Sequence, residues 1–191
     1  MFLGLIKDQK LIPTKYFDTI YDIDFFALYE QGYRVILTDL DNTLESYKTA
    51  IPSTKLMKLF DQLKQIGFKI MIVSNNFSKK RVKLFASFLN VDYLYACMKP
   101  TTIGYRRALK KLKHKEKGDV LTLGDQLFTD IYSSNKMGFY SIIVKAIDKK
   151  TEVWTTRFNR RLEMKLKIRL TKNKQLNEEI EAYFNGGRND A

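Results

Sequence analysis

The sequence holds one cysteine, Cys97, and one histidine, His114. A lone cysteine excludes an intramolecular disulfide framework and fits a reducing compartment. So few thiol and imidazole groups leave no ligand set for a zinc site of the usual kind. Any metal must then be held by oxygen, which favours magnesium or calcium. Long apolar runs are missing too: no uncharged stretch approaches the roughly 20 residues a membrane-spanning helix needs. The opening MFLGLIKDQK has no basic leading region, and Lys7 and Asp8 cut its apolar stretch short, so it makes a poor signal peptide. The expectation is a cytoplasmic protein, with a peripheral position on the inner face of a membrane as the alternative.

What the chain does have is a core and an excess of positive charge. Its 191 residues, 45% of them hydrophobic, suffice for a globular domain of ordinary size. The net charge is +13, of which residues 150–191 supply +4 from 10 basic and 6 acidic residues, so the excess is not confined to a tail. A basic surface attracts polyanions such as anionic lipid, nucleic acid or phosphorylated substrates, although charge alone does not fix a partner.

Helical and strand patterns alternate from residue 33 to residue 145. YRVILTDL is an almost unbroken apolar run, as expected of a strand buried on both faces. Leu56, Leu59, Phe60, Leu63 and Ile66 then recur at helical spacing between Pro52-Ser53 and Gly67. FKIMIVS, YLYAC, DVLTLG and FYSIIV read as four more strands, with helices predicted over 78–90, about 101–112 and 129–138. Such alternation predicts a five-stranded parallel sheet with helices on both faces. Ligands of such sheets bind beyond the carboxyl ends of the strands, where the strand order reverses.

Those ends carry the polar residues. The first strand runs into Asp39-Leu40-Asp41-Asn42-Thr43, the second into Ser74-Asn75-Asn76. Lys99-Pro100 follows the third, and Gly124-Asp125 ends the fourth, with Asp130 five residues on. Singly, each fits a solvated loop, a turn or a helix cap. Four at one end of one sheet point to a site. Two carboxylates as close as Asp39 and Asp41 repel each other, and buried charge must be paired or bound to a cation.

DLDNT, SN, KP and GDQLFTD resemble, in order, the four motifs of the haloacid dehalogenase (HAD) superfamily of phosphotransferases. Within it, LIPTKYFDTIYDID, DLDNTL, GDQLFTDI and TRFNRR resemble the YqeG-type subfamily IIIA phosphatases, relatives of the phosphatidylglycerophosphate phosphatases, from about Leu11 to about Arg161. The resemblance implies an α/β HAD-like Rossmannoid fold and a phosphomonoesterase acting through an aspartyl-phosphate. It implies Asp39 as nucleophile and Asp41 as the acid that protonates the leaving oxygen and then activates water. It also implies Mg²⁺ held by the Asp39 carboxylate, the Asp41 backbone carbonyl and the Asp125 carboxylate. Ser74 and Lys99 would bind the phosphoryl oxygens, Thr43 and Asn75 would orient loop and phosphate, and Asp130 would hold Lys99 or a metal-bound water from the second layer, with a helix cap as its structural alternative. About ten residues separate Thr43 from the next helix, which leaves no room for a cap domain, and an open site suits a bulky substrate. The substrate the resemblance implies is phosphatidylglycerophosphate, with other bulky or soluble phosphorylated molecules as alternatives.

The chain divides into a lead-in segment (1–32), a phosphatase core (33–149) and a basic helical extension (150–191). Between Lys150 and Lys172 stand eight basic and two acidic residues, and Trp154, Phe158, Leu162, Leu166 and Leu170 recur every four. The stripe over 153–170 can pack on the domain or a second subunit, which is the usual fate of such stripes, or lie on an anionic bilayer. In the lead-in segment, Phe17, Tyr21, Phe25, Phe26 and Tyr29 read as packing residues. Two competing readings remain weaker. A phosphorelay receiver domain needs an acid at the tip of strand three, where YLYAC has none. A basic RNA-, ribosome- or membrane-binding protein with weak catalysis does not explain a complete set of motif residues, and no standard RNA-recognition motif is present.

Overall fold

The computed structural model describes residues 8–148, 154–172 and 178–185. Six parallel strands form one sheet: β1 (Lys15–Phe17), β2 (Val35–Thr38), β3 (Lys69–Val73), β4 (Asp92–Leu94), β5 (Val120–Gly124) and β6 (Tyr140–Val144). Their order is β1-β6-β5-β2-β3-β4. The expected count of five is corrected to six. The extra strand is three residues long, too short to show an apolar alternation, and it exists by pairing Lys15 to Phe17 with Ile142 to Val144.

Side-chain alternation assigns the two faces. Ile36, Ile70, Ile72, Leu121 and Leu123 face one core, closed by α1 (Phe25–Glu30), α2 (Thr54–Ile66) and α3 (Lys79–Leu89). Val35, Leu37, Met71, Val73 and Val120 face the other, closed by α4 (Ile103–Lys111) and α5 (Tyr132–Met137). The helices begin and end where the sequence says they should. Ser53 and Ser78 cap α2 and α3 through backbone N–H groups of Leu56 and Arg81, while Gly67 and Asn90 take the left-handed conformation that stops them. Phe26 departs from the packing expected of the lead-in aromatics, because α1 turns it into solvent while Phe25 and Leu28 enter the core.

The C-terminal residues pack on the domain. In α6 (Trp154–Lys172), Leu166 is buried with Leu11, and Leu170 joins Tyr16, Leu127, Ile131 and Ile143. The side chains of Trp154 and Phe158, which open the predicted stripe, lie outside the described residues. Glu179 of α7 (Glu178–Asn185) accepts the backbone N–H of Tyr16 at 2.6 Å and the Lys15 ammonium at 3.0 Å. An outward N–H of edge strand β1 is thereby satisfied inside the chain rather than left to pair with another. Among the described residues no helix is long and apolar enough to cross a membrane.

Leu170→Ala removes fully buried volume between α6 and the sheet. It should cost about 2–5 kcal/mol, read as a lower urea midpoint with an unchanged m-value.

Candidate active site

The strand order reverses between β2 and β5, and the loops leaving these two strands diverge there. Asp39 extends the ladder past the end of β2 by donating its backbone N–H to Leu123 at 2.9 Å, which sets it beside the exit of β5. Lys99 reaches in from the loop after β4, and its ammonium lies 2.7 Å from Asp39 Oδ1 and 2.6 Å from Asp130 Oδ1. Asp130 is also fixed by its other oxygen, which accepts the Gln126 backbone N–H at 3.1 Å. All three side chains are buried.

Gly124 explains why a strand exit of this kind needs glycine. A Cβ at that position would collide with the Asp130 side chain, so the absence of one is what lets Asp130 come close enough to hold Lys99. Five residues after Asp125, a single π-helical turn (Leu127–Ile131) presents Asp130, and Glu163 of α6 braces the turn by accepting the Leu127 backbone N–H at 2.7 Å. The Tyr183 hydroxyl of α7 donates to Glu163 at 2.8 Å and lies 3.2 Å from the Asp125 carbonyl.

The remaining motif residues converge on the same point. Thr43 donates to the Asp125 carboxylate at 3.2 Å. Ser74 is buried at the end of β3, where its hydroxyl accepts the Asn76 backbone N–H at 3.1 Å. Asn75 uses both ends of its amide on the Lys99 backbone, donating to the carbonyl at 2.9 Å and accepting the N–H at 2.8 Å. It therefore fixes the loop that carries the lysine. Of the expected site residues, Asp39, Lys99 and Asp130 form the buried bridge, Asn75 bonds the Lys99 backbone, Asp41 and Asp125 are near enough for their charges to act on Asp39, Thr43 bonds Asp125, and Ser74 connects to Asp41 through Asn76.

Two partners of Asp41 were not legible as site residues. Arg81, in the first turn of α3, sends Nη2 and Nε to Asp41 Oδ1 at 2.7 and 3.1 Å and Nη1 to the Thr49 carbonyl at 2.6 Å. Asn76 donates to Asp41 Oδ2 at 2.8 Å. In sequence Arg81 is one of three bases in SKKR and reads as part of a solvated helix face. The available signal was its position, three residues past the capping serine, in the turn that follows the SNN strand exit. A guanidinium there spreads five donors over a planar fork, so one side chain can bind a carboxylate and backbone carbonyls together.

The electrostatics follow from burial. Asp39 is held well above the usual carboxylate range, first by burial and then by Asp130, Asp125 and Asp41, with Lys99 opposing. Burial works against the charge on Lys99, yet Asp130 and Asp39 outweigh it and hold the ammonium well above its ordinary value. The nearby Cys97 thiol is pushed up to about 11, chiefly by burial, which keeps it a poor nucleophile at neutral pH. Acids therefore outnumber the one buried base, and the cluster would accept a further cation. Among the described residues no group of three or more His, Cys, Asp or Glu side chains is arranged as a metal site. The set implied by the motifs uses two carboxylates and one backbone carbonyl, and its all-oxygen chemistry suits a hard divalent ion.

Gly124→Ala should displace Asp130 and loosen Lys99, so turnover of an aryl phosphate should drop while circular dichroism keeps its native shape. Arg81→Met should lower kcat by on the order of 10²-fold through misplacement of Asp41, with Arg81→Lys intermediate. An unchanged kcat in Arg81→Met would remove Arg81 from the site.

The chain is 34% identical over 155 residues to the probable phosphatase YqeG of Bacillus subtilis, covering 81% of this chain and 88% of that protein. It is 23% identical to the chloroplastic/mitochondrial phosphatidylglycerophosphate phosphatase 1 of Arabidopsis thaliana, covering 85% of this chain and 49%, about half, of the plant protein. Solved structures are more distant. An uncharacterised protein from Listeria monocytogenes serotype 4b aligns at TM-score 0.48 and 17% identity, covering 63% of this chain and 86% of that one. A thermostable NPPase double mutant from Geobacillus stearothermophilus aligns at 0.23 and 16%, covering 65% and 60%. With the family described as mitochondrial PGP phosphatase matching residues 2–147, most of the chain and all of the strand exits from Asp39 to Asp130, this protein belongs to that family of phosphatases.

Proposed function

We propose that the protein is a Mg²⁺-dependent phosphomonoesterase that works through an aspartyl-phosphate on Asp39, and that its substrate is phosphatidylglycerophosphate. The observation that supports the reading is the Asp39–Lys99–Asp130 bridge, in which a buried carboxylate and a buried ammonium stand side by side at the switch point of the sheet.

Asp39 attacks phosphorus and displaces the alcohol, dividing one difficult displacement into two easier ones. Lys99 neutralises charge on the transferring phosphoryl oxygens, and the Ser74 hydroxyl lies at the adjoining strand end to donate to them. Asp41 gives a proton to the leaving oxygen and later takes one from the attacking water. Both its oxygens are occupied in the resting site, by Arg81 and by Asn76. Oδ2, held only by a neutral amide, is the atom freed for proton transfer, while the ion pair on Oδ1 keeps the carboxylate in register. Asn75 acts through Lys99, and Thr43 through Asp125. Mg²⁺, held by the carboxylates of Asp39 and Asp125 and the backbone carbonyl of Asp41, would offset repulsion between the anionic nucleophile and the anionic phosphate.

The lipid substrate is supported by the family and by the open access to the site. Only five residues separate β3 from α3 and two separate α3 from β4, so no domain folds over the acids at these points. A small polar substrate needs a lid to exclude water, whereas a headgroup presented by a bilayer brings its own apolar surroundings.

Phosphate release should require Mg²⁺, be far faster with phosphatidylglycerophosphate in mixed micelles than with an aryl phosphate, and vanish in Asp39→Asn. Cleavage of the aryl phosphate alone would keep the chemistry and reject the lipid. No release with any divalent metal would reject both.

A further inference from the structure

Four large apolar side chains stand in solvent at the carboxyl end of the sheet: Ile51, Phe77, Met98 and Ile147. Each is tied to the acidic site by its neighbours or its own backbone. Phe77 follows Asn76, the amide donor to Asp41, and Met98 precedes Lys99. Ile147 donates its backbone N–H to the Asn42 carbonyl at 3.1 Å. Ile51 comes two residues after Thr49, whose carbonyl accepts from Arg81. The loops carrying Phe77 and Met98 are laced together by Ala96 N–H to the Asn76 carbonyl at 3.0 Å and Cys97 N–H to the Ser74 carbonyl at 3.1 Å. The four residues therefore lie on segments that carry or bond residues of the site.

Their exposure is built in. Phe77 is 83% exposed, more than any other large apolar side chain among the described residues. Ala96 and Met98 both have positive φ, at 48° and 55°, a region disfavoured for residues with a Cβ. In this strained loop Cys97 and Lys99 are buried and Met98, between them, stays outside.

The same loops are basic. Lys48 and Lys145 are exposed on them and Lys79 and Lys80 are exposed where α3 begins beside Phe77, with Lys79 above the Tyr95 ring and Lys145 at 3.9 Å from Asp18. Besides the site's own acids, the facing loops carry Glu45 and Asp148, both half-buried. Helix α6 is a less suitable apolar face, because its Leu166 and Leu170 are already buried in the domain and, among its described side chains, the large apolar ones that stand in solvent are Met164 and Ile168.

We propose that this rim docks on the surface of an anionic bilayer, with Ile51, Phe77, Met98 and Ile147 entering the interface around the site mouth. Lysines on the same loops meet anionic headgroups, and a lipid phosphomonoester then reaches Lys99 and Asp39 without leaving the bilayer. The inference rests on the lipid-phosphate reading above and moves the membrane contact from the 153–170 helix to the loops of the site.

The test uses the full chain with an environment-sensitive fluorophore on Phe77→Cys. The native thiol, Cys97, is fully buried, so labelling is selective. Control labels go on Phe26→Cys, an exposed aromatic at the other end of the sheet, and on Ile168→Cys on the outer face of α6. With vesicles of phosphatidylcholine and phosphatidylglycerol, the label at 77 should shift to shorter wavelength and be quenched by nitroxide lipid. It should stay in water with phosphatidylcholine alone, and the label at 26 should stay in water throughout. Phe77→Ser should weaken vesicle binding by on the order of tenfold. A label at 77 that stays in water with both kinds of vesicle, entry at 168 without entry at 77, equal entry at 26, or a shift at 77 caused by a phosphopeptide instead of vesicles would each overturn the proposal. The readout needs no turnover. Entry at 77 without phosphatidylglycerophosphate hydrolysis would reject the substrate and keep the docking, and hydrolysis in micelles without entry would do the reverse.

Discussion

A buried lysine shared between two buried aspartates is the constraint on which the rest of the site depends. Lys99 can remain charged in the interior only because Asp39 and Asp130 flank it, and those acids can remain there only because Lys99 does. Every neighbouring feature serves that arrangement. Gly124 has no side chain, so Asp130 can approach. Asn75 clamps the backbone of Lys99 in both directions, and the π turn sets Asp130 at the right height. The helices α6 and α7 brace the turn through Glu163 and Tyr183. The C-terminal segment is thus continuous with the site in a physical sense, although it contributes no motif.

The polar strand exits were legible because parallel strands put their functional residues at one end, and apolar strands that stop abruptly in acid or amide residues are hard to mistake. Asp39, Asp41, Ser74, Lys99 and Asp125 could be placed together from that rule alone. What was not legible came from contacts between loops. Arg81 is separated from Asp41 by 40 positions and hidden in a basic run, and no local pattern distinguishes a guanidinium aimed at a carboxylate from one in water. Asn75 was legible as a site residue but not in its manner of acting, since its two hydrogen bonds to Lys99 depend on a loop geometry that no periodicity encodes.

The fold was legible to a similar depth. Helix caps and stops at Ser53, Gly67, Ser78 and Asn90 fall where side-chain chemistry dictates. The short strand β1 does not announce itself, because three residues carry no period and owe their conformation to β6 on one side and Glu179 on the other. The stripe of α6 shows why an amphipathic pattern is ambiguous: the same spacing that could lie on a bilayer places Leu166 and Leu170 against Leu11, Leu127 and Ile143.

The charge cluster also sets an order of events during folding. Lys99 joins partners 60 residues before it and 31 residues after it, one from each half of the sheet. Until the chain through Asp130 has been made and the second half has docked on β2, Asp39 and Lys99 form a pair that lacks its third member. As the polypeptide emerges from its N-terminus, the nucleophile appears first and the acid that completes its surroundings appears 91 residues later. Closure of this contact is therefore non-local and late, and the reactive carboxylate acquires its working environment only with the finished sheet.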